Sequence, residues 1–120
     1  QSVHQMGGYK VQRDEKRLLD DAAAAQQAGA FGVVLECVPA PIAAKISAAL
    51  DIPTIGIGAG PECDGQVLVT NDRLGVTSGD GPRVVKPYAE IRSVITDAVS
   101  RYCEETRAGT VPGEDQTCAR

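Results

Sequence analysis

Aromatic residues are nearly missing from this chain: they make up 3% of it, with no Trp. Flat rings on which bases or sugars could stack are therefore scarce. Histidine occurs once, at His4. No apolar run approaches the roughly 20 residues that a membrane-crossing helix needs. No charged amino-terminal region leads into an apolar stretch, so nothing reads as a secretory signal. The four cysteines, Cys37, Cys63, Cys103 and Cys118, form no CxxC pair and have no histidine at zinc-site spacing. They read as reduced structural thiols. Excess positive charge is lacking too: 12 basic residues stand against 16 acidic ones, for a net charge of -4. Such a surface has no general attraction for nucleic acid or anionic lipid. The expectation is a cytoplasmic protein that binds neither nucleic acid nor membrane.

What is present is a globular composition, 42% hydrophobic and 23% charged over 120 residues. The core must come from Val, Ile, Leu and Ala. Residues 1–12 lack periodicity and contain the Gly7-Gly8 pair, and so read as a loop. Arg13 to Ala28 predicts a helix stopped by Gly29. Phe31-Gly32-Val33-Val34-Leu35 is apolar without alternation, which predicts a strand buried on both faces, as in a parallel sheet. A second helix is predicted over 41–50, with Pro41 in its first turn. Strands follow over 52–57 and 66–69, then an irregular stretch over 70–87. The strongest helical period runs over 87–107, through Ile91, Val94, Ile95, Ala98, Val99 and Tyr102. Residues 112–120 read as a polar tail after a unit spanning 1–111.

Strands separated by ten-residue helices predict βαβ crossovers and an α/β fold with parallel strands. Two or three strands do not close such a fold. A (β/α)8 barrel takes about 250 residues, and this chain is roughly half of that. An open doubly wound sheet of this size is possible but normally has about five strands, so the count points to an incomplete α/β unit with a missing half.

In parallel α/β folds, functional groups collect at the carboxyl ends of strands. That rule selects Glu36, directly after FGVVL, and the loop Gly56-Ile57-Gly58-Ala59-Gly60 after IPTI. A carboxylate ending an apolar strand is partly shielded from water, which suits it to accept a proton. It could equally cap a helix or pair with a lysine. Gly56, Gly58 and Gly60 permit a ligand to approach the backbone closely, or merely allow a sharp turn. The spacing is not that of a dinucleotide fingerprint, since Pro61 stands where a helix should open. His4, Tyr9 and Lys10 read as loop residues. Asp64, Asp72 and Asp80 read as turn formers, and their spacing does not match a calcium loop.

Together, SVHQMGGYKVQ, VVLECVP, IPTIGIGAGPECDGQVLV and the closing PGED resemble ketopantoate hydroxymethyltransferases, in that order and with nearly that spacing, from Gln1 to about Asp115. The resemblance is to the carboxyl-terminal half of that family. It implies a (β/α)8 barrel assembled as a homodecamer. It implies transfer of a one-carbon unit from 5,10-methylenetetrahydrofolate to 3-methyl-2-oxobutanoate, for pantothenate and coenzyme A synthesis. A magnesium ion would hold the 2-oxo acid through ligands in the other half, so no metal ligand is expected here. Glu36, in LECVP, matches the glutamate proposed in the family as the base for the C3 proton. Local departures include Arg13 directly after KVQ, Asn71-Asp72 in place of His-Asp, GDGPRVV before KPY, and the ending DQTCAR. Two other readings remain open at this point. One is an inactive remnant of such an enzyme. The other is a small anion-binding module that uses GIGAG.

Overall fold

The computed structural model describes residues 11–77 and 85–118. The order is α1 (Glu15–Gln27), β1 (Val33–Glu36), α2 (Ala40–Ala49), β2 (Thr54–Ile57), β3 (Gly65–Gln66), α3 (Thr70–Arg73) and α4 (Ile91–Ala108). A short 3-10 turn, Glu114–Gln116, follows. Two compact units divide between Leu68 and Val69.

Residues up to 68 contain the sheet. Asp14 caps α1, its carboxylate accepting from the Arg17 amide at 3.1 Å. Pro39 precedes α2, and Pro41 occupies its first turn as expected. The strands lie in the order β1-β2-β3, and both pairings are parallel. The α/β reading with parallel strands therefore holds. No helix joins β2 to β3. The seven residues between them suffice because Gly65 pairs with Ile55, only two positions back from the end of β2.

The expectation of a strand buried on both faces is corrected. Along β1, Leu35 is buried and Val33 half-buried, whereas Val34 and Glu36 are exposed. Side chains alternate along a strand, and α1 and α2 cover one face only. Leu35 packs there with Ala22, Val38, Ile42, Ala43, Ile46 and Ala59. Phe31 lies outside the strand and is 94% exposed. The third strand is shorter than the predicted 66–69. After the Val67 amide bonds the Gly56 carbonyl at 3.0 Å, β2 turns into its glycine loop and offers no further partner.

One polar cluster ties this unit together. Thr54 is fully buried at the start of β2. Its amide and hydroxyl both donate to the Asp64 carboxylate, at 2.8 and 2.9 Å. The Ser47 and Thr54 hydroxyl oxygens lie 2.7 Å apart. Thr54 has one hydroxyl proton and gives it to Asp64, so Ser47 must donate to Thr54. The Thr54 amide, then its hydroxyl, hold the Asp64 carboxyl below its ordinary value of 3.8, against a smaller opposing effect of burial. A group with a depressed folded-state value adds stability above its unfolded value and loses it as pH falls. Thr54→Val is expected to cost about 1–3 kcal/mol, because Ser47 and Asp64 then lose a buried partner. It should also weaken the acid-side loss of stability below pH 4. Thermal melts of the 120-residue chain at pH 3 and pH 7 check both. Equal sensitivity to acid in the two proteins would leave the Asp64 shift to the Thr54 amide, which valine keeps, and remove the hydroxyl from the account.

Residues 69 onward form the second unit. The stretch expected to be irregular contains α3, with Thr77 donating to the Asp72 carboxylate at 2.5 Å. The last helix begins at Ile91 rather than Pro87. Gly109 ends it in the left-handed conformation (φ 71°). The polar tail is not featureless: the Gln116 side chain accepts from the Gly113 amide at 2.9 Å. Among the described residues, no helix is long and apolar enough to cross a membrane.

Candidate active site

Glu36 is the last residue of β1 and is paired in register with Ile57, the last residue of β2. Residues paired in this way point to the same side of a sheet. Glu36 therefore shares the face turned away from α1 and α2 with Val34, Ile55 and Ile57. The other side belongs to Leu35 and Thr54, which are buried. The apolar alternation places the carboxylate there: Leu35 is drawn to the helices, so its neighbour must face the opposite way.

The carboxylate is exposed. The shielding expected at a strand end is not seen at this side chain. The two structural roles considered for Glu36 are not seen either. Among the described residues it caps no helix, makes no side-chain hydrogen bond and pairs with no lysine. Lys45, the lysine of α2, pairs with Glu15 at 2.6 Å.

The glycines after β2 separate into two groups. Gly56 lies within the strand on the helix-covered side. A Cβ there would come within 3.0 Å of the Cys63 sulfur and 3.1 Å of the Gln66 amide. Close packing accounts for a glycine at this position. Gly58 and Gly60 form the turn itself, with φ 62° and 83°. Gly60 is pressed against the first residue of α2: its Cβ would sit 2.4 Å from that of Ala40. The Gln66 side chain donates to the Gly60 carbonyl at 2.9 Å. The turn is thus held against the start of α2, near the end of β1.

β1 is an edge of the sheet. A groove of about 310 Å³ runs along it, lined by Leu18, Ala22, Ala25, Val34 and Leu35 among others. In a parallel strand, alternate amides face opposite edges. Val33 donates to the Pro53 carbonyl, just before β2, and Cys37 to that of Ile57, so the amides of Val34 and Glu36 face the open edge. A second cleft of about 590 Å³ lies within residues 69–120, lined by Asp72, Thr77, Glu90, Arg92, Ser93 and Asp97 among others. Among the described residues, no three His, Cys, Asp or Glu side chains gather closely enough to hold a metal ion.

Residues 1–114 match the family model described as ketopantoate hydroxymethyltransferase. The chain belongs to the ketopantoate hydroxymethyltransferase family. A 3-methyl-2-oxobutanoate hydroxymethyltransferase of Pelobacter propionicus is 56% identical over 120 residues, covering 98% of this chain and 45% of that protein. The protein of that name in Geobacter sulfurreducens is 56% identical over 118 residues, covering 95% and 44%. The one in Prosthecochloris aestuarii is 53% identical over 121 residues, covering 98% and 44%. The chain thus spans about half the length of the curated relatives it matches, and the family frame explains an open sheet with an unpaired edge.

Sequence reasoning missed three features of this region. Asp64 was expected only to form a turn, whereas it anchors the base of β2. Gln66 was expected only as a strand residue, whereas it clasps the glycine turn. Nothing in the local sequence marked Cys37 for a left-handed backbone. His4, Tyr9, Lys10 and Asp80 lie outside the described residues.

Proposed function

We propose that this chain supplies the catalytic base of a 3-methyl-2-oxobutanoate hydroxymethyltransferase and works only when the rest of the barrel is joined to it. The reaction would transfer a one-carbon unit from 5,10-methylenetetrahydrofolate to 3-methyl-2-oxobutanoate. The product, ketopantoate, would serve pantothenate and coenzyme A synthesis. The observation that carries this reading is Glu36: a carboxylate without a partner among the described residues, at the carboxyl end of a parallel strand and on the face its own helices leave open.

The chemistry needs such a group. The C3 proton lies next to a ketone and is weakly acidic. When the C3–H bond breaks, the proton passes to a Glu36 oxygen and the electron pair moves into the enolate. C3 would then bond to the methylene carbon of the folate as one of its carbon–nitrogen bonds breaks, and water would cleave the second carbon–nitrogen bond, supplying the hydroxyl of ketopantoate and releasing tetrahydrofolate. A base placed within hydrogen-bond reach of that proton is the contribution required of this chain. Val34, Ile55 and Ile57 flank the carboxylate with apolar surface. The magnesium expected from the family resemblance would have to be held by residues outside this chain, and no step here runs through it. The turn at Gly58 and Gly60, beside the start of α2, is the place we assign to an anionic part of a substrate. Backbone amides and a helix amino terminus favour negative charge. The rest of the barrel would cover Val34, Glu36 and the open edge of β1. The family's homodecamer is the assembly proposed for the complete protein.

The test is a fusion in which this chain replaces the matching part of the Pelobacter propionicus relative. The fused protein is expected to exchange deuterium at C3 of 3-methyl-2-oxobutanoate and to form ketopantoate, while the 120-residue chain alone does neither. A folded fusion inactive in both assays would refute the proposal.

A further inference from the structure

We infer that Cys37 is a positioning residue for Glu36, through its backbone rather than its thiol. The inference rests on Glu36 acting as the base.

Cys37 is the one non-glycine among the described residues with a positive φ, 55°. L-residues other than Asn and Asp seldom adopt this conformation, because the Cβ crowds the following carbonyl. Backbone strain of this kind persists only where the surroundings enforce it. Two constraints are visible. The Cys37 amide donates to the Ile57 carbonyl at 2.9 Å, extending the β1–β2 ladder one residue past Glu36. The next residue, Val38, is buried with Leu35 in the core at 6% exposure.

Strict alternation would give the opposite arrangement. Leu35 faces the helices and Glu36 the open side, so an extended Cys37 would point inward and Val38 outward with Glu36. The left-handed residue breaks that alternation. It drops Val38 into the core and starts α2 three residues after the strand ends. Glu36 is therefore the last side chain on the open face. Its carbonyl belongs to the peptide fixed by the Cys37–Ile57 bond. An extended backbone at 37 would have to expel Val38 or release that bond, and either change re-aims the Glu36 carboxylate.

The test uses the fusion described above and reads deuterium exchange at C3 as kcat and KM separately, alongside thermal midpoints. Cys37→Asn lacks the thiol but suits the left-handed conformation, and is expected to exchange within threefold of the parent. Cys37→Val is β-branched and resists that conformation. It is expected to lose about 10- to 100-fold in kcat with KM little changed, the scale on which an ångström of misplacement acts. Cys37→Ala should fall between them, and the Asn-versus-Ala comparison stays readable if the valine variant does not fold. Asn as slow as Ala would overturn the inference in favour of the thiol, and Val as fast as the parent would overturn it outright. Glu36→Gln is the control. If it exchanges normally, the base reading itself falls; if it is impaired while Cys37→Val is not, only the positioning role falls.

Discussion

Glu36→Gln in the fused protein is expected to lower the rate of C3 proton exchange by about 10²–10⁴-fold, the usual worth of a positioned general base. Glutamine keeps the size of the side chain and removes its capacity to accept a proton. The fold has little stake in the change. Glu36 is exposed, and among the described residues it holds no hydrogen bond or ion pair that glutamine would break. The thermal midpoint should therefore stay near that of the parent while exchange collapses. Substrate affinity should move little, since the carboxylate acts on a C–H bond. Parent-like exchange in this variant would take Glu36 out of the mechanism, and with it the observation on which the functional reading rests.

Gly60→Ala should be the most damaging of the small substitutions at the turn. Two effects add. A left-handed φ of 83° costs an L-residue roughly 1–2 kcal/mol. The new Cβ would also stand 2.4 Å from that of Ala40 and 3.1 Å from its Cα, and such overpacking costs typically about 1–3 kcal/mol. Gly29 separates the two. Its φ is 91°, but a Cβ there meets nothing within 4 Å. Gly29→Ala should therefore show only the conformational part. Thermal melts of the two variants of the 120-residue chain provide the comparison. The Gly60 variant should melt lower than the Gly29 variant by roughly 4–24 °C, at 4–8 °C per kcal/mol for a unit of this size. Equal losses would mean that Gly60 is required for its backbone angle alone, and that the contact with the start of α2 does not hold the turn.

Both predictions depend on how one short parallel pair is built, and the sequence disclosed that pair unevenly. The three longer helices were legible because their signals are local. Gly29 stops α1, and Pro41 opens α2. The first two strands, β1 and β2, were legible as apolar runs. Glu36 stood out because a charge immediately after FGVVL must mark a strand end, and in parallel α/β proteins strand ends carry chemistry. The true extent of β3 was not legible. It depends on where β2 stops offering partners, which is a property of the neighbouring strand. Gly56 looked equivalent to Gly58 and Gly60. Only the positions of Cys63 and Gln66 show that it makes room for packing.

Composition and local pattern were thus enough to establish an α/β chain with parallel strands, the rough positions of its helices, and a carboxylate at a strand end. These follow from propensity, capping and alternation, which act over a few residues. Tertiary structure alone decided which face of β1 lies open, how Asp64 secures the base of β2, and that Cys37 takes a left-handed backbone. Each of these depends on register and contact between segments separated along the chain, and such contacts leave no mark in the residues on either side.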